Sequence, residues 1–269
     1  MRNLLLIIFV LFALQSKSQS KLGEVACVYI TTPNLDSSVA FYEKFGFNKI
    51  GSNTFPVPWA QVSDGSLLIM MRKDPTAYIG LTYYVNDLEG TVAQLEKDGI
   101  SFSQKPKPGD PIKRYFIKTQ DGFNIMLAPN IGGFAQPTGP TLLNMKQADF
   151  ASADKYPNKL CGAFGEFCQP VVDVNQSLAF WKKLGFGVKN IEKQPYPHAI
   201  ITDGLMIIGL HQTVHFDYPA ITYFGVNTAS RVKQLTEKGL SAPTEMQGKG
   251  NVMFKTFEGQ HLFIFSMGM

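Results

Sequence analysis

The side chains best suited to chemistry are concentrated in the second half of this sequence. All four histidines lie there, His198, His211, His215 and His261, and Glu166 precedes them. Imidazole beside a carboxylate can hold a divalent metal or move a proton near neutral pH. If these residues sit on β-strands, alternation puts His211 and His261 on the same inward face as Glu166, so Glu166, His211 and His261 form the candidate catalytic trio. Against this, His211 opens onto the loop QTVHFDYP, where a histidine is ordinarily just solvated. No G-x-S-x-G, P-loop, H-E-x-x-H or dinucleotide fingerprint occurs.

The elements that must position these residues are written twice. SSVAFYEKFGF (Ser37 to Phe47) returns as QSLAFWKKLGF (Gln176 to Phe186), and PVPWAQVSDG (Pro56 to Gly65) as PYPHAIITDG (Pro195 to Gly204). LTYY at Leu81 returns as ITYF at Ile221, and TQDGFNIMLA at Thr119 as TFEGQHLFIF at Thr256. Two homologous domains follow, over 22–128 and 162–267, joined by a Gly- and Pro-rich linker over 129–161 that is free to drape over one of them. Each domain is doubled again. CVYITTP reads as a strand, Asn34 as a helix cap and Gly46 as a stop, and three short strands follow, parted by turns at Asn53, Pro56 and Asp64-Gly65. The pattern restarts at IGLTYYV, with Asp87 as cap and Gly99 as stop. Phe41 and Phe45, like Phe180 and Leu184, lie four apart and are expected to anchor their helices on the convex side of a sheet.

Composition narrows the function classes. A chain of 269 residues, 45% hydrophobic and 17% charged, can bury a large core. Its net charge of +4 is thinly spread, with none of the clustering that holds a phosphate backbone, so nucleic acid is excluded as a partner. Residues 1–20 carry one Arg, an apolar run from Leu4 to Leu14 and then small polar residues, the pattern of a signal peptide cleaved near Ser18 or Ser20. The run is about half the ~20 residues a membrane helix needs. A secreted or periplasmic protein is expected, with no membrane attachment after cleavage. Cys27, Cys161 and Cys168 match no zinc spacing and are expected to be free, buried thiols.

The helix segments NLDSSVAFYEKFGF and DVNQSLAFWKKLGF, with the D-G turn before the fourth strand and the D-G or E-G turn before the last, resemble the vicinal oxygen chelate superfamily of glyoxalases, bleomycin resistance proteins and extradiol dioxygenases. The resemblance implies an α+β fold of four βαβββ modules forming two tandem open barrels. It also implies a divalent metal held by His, Glu or Gln on the first, fourth, fifth and eighth strands of a domain. Those positions fall on Cys27, Met70, Gly80 and Met126 in the first domain and on Glu166, Gly209, Ala220 and Phe263 in the second. Only Glu166 is a conventional ligand. The expectation is therefore an exported protein without the family metal or any other cofactor. It would bind a small apolar or aromatic molecule through Cys27, Tyr29, Trp59, Met70, Arg72, Tyr84 and Met126 in one hollow and Phe224 and Phe263 in the other, as a monomer or homodimer. Trp59 and Phe55, on a loop, would rim the first mouth. Two alternatives stand beside it. The Met and Tyr side chains simply fill the barrel, or the second domain is a divergent metal-dependent lyase, isomerase or dioxygenase built on Glu166, His211 and His261.

Overall fold

The computed structural model describes residues 20–246 and 248–267, so the expected signal peptide, apart from Ser20, lies outside the described residues. The first module comprises β1 (Val25–Thr32), α1 (Leu35–Lys44), β2 (Asn48–Asn53), β3 (Trp59–Ser63) and β4 (Leu68–Lys73). The second comprises β5 (Ile79–Val85), α2 (Leu88–Lys97), β6 (Tyr115–Lys118) and β7 (Asn124–Pro129). The third is β8 (Ala163–Pro170), α3 (Val174–Lys183), β9 (Gly187–Glu192), β10 (His198–Thr202) and β11 (Ile207–His211). The fourth is β12 (Ala220–Gly225), α4 (Thr228–Glu237), β13 (Thr244–Glu245), β14 (Val252–Lys255) and β15 (His261–Ser266). The second module departs from the expected three strands after its helix: the first is reduced to a single bridge between Gln104 and Phe116. Pro106, Pro108 and Pro111 crowd that segment and offer no N–H to a ladder.

The modules pair into two mixed, open sheets. The seven-stranded sheet runs β2-β3-β4-β1-β5-β7-β6 and the eight-stranded sheet β13-β14-β15-β12-β8-β11-β10-β9. In each, the first strand of the leading module lies parallel to that module's last strand and antiparallel to the first strand of the next module. Among the described residues no helix is long and apolar enough to cross a membrane.

Helix starts follow the sequence signals. Asn34 accepts from the Ser37 N–H, Asp87 from Gly90, and Asp173 from Asn175 and Gln176. Only Asn227, before α4, departs; it is left-handed at φ 55° and makes no side-chain cap. Gly46 and Gly185 end α1 and α3 at φ 88° and 93°, a turn that glycine makes without Cβ strain. Of the expected helix anchors, Phe45 and Leu184 are fully buried, but their partners are not. Phe41 and Phe180 are only half-buried, whereas their neighbours Tyr42 and Trp181 are fully buried. Tyr42 continues the stripe of Ser38, Val39 and Phe45, and Phe41 lies at its margin.

One core runs through both units, and a reciprocal pair of hydrogen bonds crosses it. Tyr83 on β5 donates to Asp203 in the β10–β11 turn, and its repeat counterpart Tyr223 on β12 donates to Asp64 in the β3–β4 turn. Phe45 meets Phe254 edge-on with centroids 5.0 Å apart. The segment between the sheets does drape over the body. Asn158 donates to the Phe45 carbonyl and accepts from the Cys161 N–H, and Leu142 donates to the Phe164 carbonyl.

Candidate functional site

The two concave faces have different fates. In the first, Cys27 lies opposite Thr82 and Thr82 opposite Met126, while Tyr29 lies between Met70 and Gly80, so the named side chains share one face. They are buried against Val25, Leu68 and Ala128, with Trp59, Tyr78, Phe116 and Phe134 packed onto them. Phe134 comes from the linker. Its ring centre lies 4.6 Å from that of Tyr84 and 5.8 Å from that of Trp59, and its N–H is fixed by Asn130 Oδ1 at 2.8 Å. Trp59 is thus not a loop residue rimming a mouth; it begins β3 and turns its ring to Phe134, while Phe55 remains 80% exposed. Arg72 at the hollow's end is paired to Asp74 at 2.6 Å. The first hollow is filled by the protein's own side chains.

The second face carries a polar cluster. Alternation along β8 puts Glu166 and Cys168 on one face, and the register sets Cys168 beside Gly209 on β11, with His211 two residues beyond. Glu166 and His211 lean towards each other over Gly209, and Glu166 Oε1 meets His211 Nε2 at 2.9 Å. A side chain on residue 209 would forbid this: a Cβ there would lie 1.9 Å from Glu166 Oε2 and 2.6 Å from His211 Nε2. The lost ligand position is therefore the space into which two other groups converge. Glu166, Cys168 and His211 offer a carboxylate oxygen, a sulfur and an imidazole nitrogen within 4.8 Å of one another, all three buried, and Glu166 Oε2 has no hydrogen-bond partner.

His211 is buried, contrary to the solvated strand end expected of it, and is held from both sides. Tyr196 Oη lies 3.3 Å from Nδ1. With the tyrosine O–H donating to Nδ1, Nε2–H donates to Glu166, so the two partners together fix the orientation of the ring. Burial, then the nearby Cys168 and Glu166, push the Tyr196 phenol up to about 12. His261 does not join this cluster. It sits on β15 beside Ala220 and stacks on Tyr218 with ring centres 3.6 Å apart, and burial together with Lys255 lowers its pKa. Cys168 takes the place expected of it, and the signal was available, since Cys168 lies two residues from Glu166 on one strand. His198 begins β10 opposite His211, its ring parallel to that of His211 at 5.6 Å. His215 is exposed, near Tyr196. Phe263 and Phe265 stack at 5.6 Å beside Phe216, and Phe224 lies over Gly165.

A cavity of about 560 Å³ opens next to the cluster. Tyr196, Gln212, Phe216, Val171, His215 and Asp217 contribute to its lining, and Tyr196 joins it to His211. The arrangement gives a partly apolar, partly aromatic pocket with a tyrosine–histidine–glutamate chain of hydrogen bonds behind it.

All three cysteines are free and buried, and burial raises each thiol's pKa. Ellman's reagent is expected to find no fast-reacting thiol in the folded protein and all three after unfolding in guanidinium. One fast equivalent in the native state that maps to Cys27 or Cys168 would show that its hollow is open.

Residues 21–127 match the family described as the Glyoxalase/Bleomycin resistance protein/Dioxygenase superfamily. No curated protein matches the chain. Among solved structures it is similar to the 2,3-dioxygenase LapB from Pseudomonas sp. KL28, with TM-score 0.57 and 12% identity over 94% of each chain. Homoprotocatechuate 2,3-dioxygenase from Arthrobacter globiformis matches with TM-score 0.56 and 14% identity over 93% of this chain and 81% of that one. A variant of the B. fuscum enzyme in complex with HPCA gives 0.55 and 13% over 93% and 73%. At these identities the structural likeness is one of fold. The first domain thus matches the glyoxalase, bleomycin resistance protein and dioxygenase superfamily over residues 21–127, the second repeats its architecture, and the chain as a whole has the tandem two-domain fold of these dioxygenases.

Proposed function

We propose that this is an exported small-molecule-binding protein whose working site is the second domain, the first serving as a filled copy that supports it. The observation that carries the reading is Tyr196, which lines the 560 Å³ cavity and is hydrogen-bonded to the buried His211, itself held by Glu166. A cavity of that size takes a single-ring molecule, with Tyr196 and Phe216 as aromatic walls and the tyrosine hydroxyl as the polar end that orients it. Phe134 in the first hollow argues against a second site of equal standing. The leader-like residues 1–20 support a secreted or periplasmic location, and the thin charge supports a small molecule rather than nucleic acid as partner. The protein acts as a monomer or homodimer, free of the membrane once the leader is removed.

The dioxygenases of similar fold suggest the first probes. Calorimetric titration with homoprotocatechuate and catechol is expected to give saturable one-to-one binding. Tyr196→Phe and Phe216→Ala should each weaken it ~10-fold, a loss of ~1.4 kcal/mol. Phe116→Ala, in the first domain, should leave affinity unchanged. Absence of binding by the wild-type protein, or its loss in Phe116→Ala alone, overturns the reading.

A further inference from the structure

We propose that Glu166, Cys168 and His211 are a three-ligand site for a borderline divalent ion such as zinc or cobalt, with the Cys168 sulfur bound as thiolate. The location rests on the reading of the second domain as the working half; the ligand set does not depend on what small molecule that half binds.

Four observations converge. The three donor atoms lie within 4.8 Å of one another in a buried place. The Glu166 side chain is 4% exposed, yet its Oε2 has no hydrogen-bond partner, a buried polar atom left unsatisfied. Gly209 provides the room: a Cβ would stand 1.9 Å from that oxygen and 2.6 Å from His211 Nε2. Tyr196 stands 3.3 Å behind Nδ1, the position from which an outer partner fixes the orientation of a ligating imidazole.

Charge and donor type select the ion. Entry of a divalent cation with release of the thiol proton to solvent leaves a dication facing one carboxylate and one thiolate, so the complex is neutral and its burial is not opposed by an unpaired charge. With Nε2 on the ion, the ring's one N–H would lie at Nδ1, facing Tyr196 Oη. One sulfur, one nitrogen and one oxygen disfavour magnesium and calcium, which take oxygen, and suit zinc and cobalt. Three protein ligands leave the fourth tetrahedral position open. The resemblance implies His, Glu and Gln ligands spread over four strands. This set instead draws two ligands from β8 and one from β11, and it includes a sulfur.

The full chain, freed of metal by chelation, is titrated with cobalt and then with zinc. One equivalent of cobalt should raise a sulfur-to-cobalt charge-transfer band in the near ultraviolet, which zinc should abolish, and either ion should raise the melting temperature by several degrees. Cys168→Ser should remove the band, Glu166→Gln should weaken binding at least tenfold, and Gly209→Ala should do the same by displacing two ligands. Cys161→Ser should keep the band. Where Gly209→Ala does not fold, the Cys168 and Glu166 variants decide. Absence of stoichiometric cobalt binding by the wild-type protein, or a band that survives Cys168→Ser, overturns the site. The aromatic probes titrated into the same metal-free protein report separately: aromatic binding without cobalt binding overturns this inference alone, and cobalt binding without aromatic binding upholds it while overturning the reading of the cavity.

Discussion

Trp181→Ala is expected to lower the unfolding free energy by about 3–5 kcal/mol, and Phe180→Ala by clearly less. Trp181 is 1% exposed, its ring 4.7 Å from that of Phe186, and Leu184, just past α3, is fully buried. Removing the indole leaves a cavity that neighbours on a sheet cannot collapse into, and this adds to the lost transfer energy. Phe180 is half-buried at the edge of the stripe, so part of its ring already meets solvent. The same order is expected in the first domain, with Tyr42→Ala costing more than Phe41→Ala. Urea denaturation of the four variants measures this. Equal losses for Phe180 and Trp181 would show that the helix sits on the sheet with the rotation its phenylalanines alone suggest.

That rotation illustrates what the sequence carries and what it does not. The repeat, the caps at Asn34, Asp87 and Asp173, and the glycine stops are local, so each is written within a few residues of where it acts. The register of the helix on its sheet is decided by the sheet's surface, and an aromatic at 41 or at 42 satisfies a helical pattern almost equally well. The concave faces divide in the same way. Strand alternation alone puts Cys27, Tyr29, Met70 and Met126 together, and Glu166 with Cys168. The linker has no periodicity, so nothing in it marks Phe134 as the ring that closes the first hollow. Gly209 is the sharpest case. Compared with a ligand pattern it is a deletion, whereas in three dimensions its missing Cβ is what lets Glu166 and His211 meet. His211 itself reads as a strand end, yet it is buried among Tyr196 from the β9–β10 connection, the parallel ring of His198 and the ring of Phe216.

Asp64→Ala is expected to be as costly as the loss of Trp181, about 3–5 kcal/mol, for an electrostatic reason. In sequence Asp64 is one residue of a D-G turn, which suggests an exposed side chain. In the fold it is 6% exposed. Its carboxylate accepts from the Ser66 and Leu67 N–H groups, the Ser66 hydroxyl, the Asn158 amide and the Tyr223 hydroxyl of the opposite domain. Removing it strands several buried donors at once, each costing ~1–3 kcal/mol if left unsatisfied. Tyr223→Phe should cost less, ~1–2 kcal/mol, because the carboxylate keeps its other donors. The double variant should then fall short of the sum, since with Asp64 gone the Tyr223 hydroxyl is a liability whose removal is close to neutral. Asp203 and Tyr83 repeat the arrangement with the Leu205 and Met206 N–H groups, so Asp203→Ala should behave alike. If these two crossing bonds are what make one cooperative unit of two similar halves, urea should unfold the wild-type protein in one transition and the Asp64→Ala, Asp203→Ala protein in two. A single transition in that variant, or a loss within ~0.5 kcal/mol for Asp64→Ala, would place the coupling of the halves in other contacts, such as Phe45 on Phe254 and the bonds from Val172 and Ser177 to Asp121.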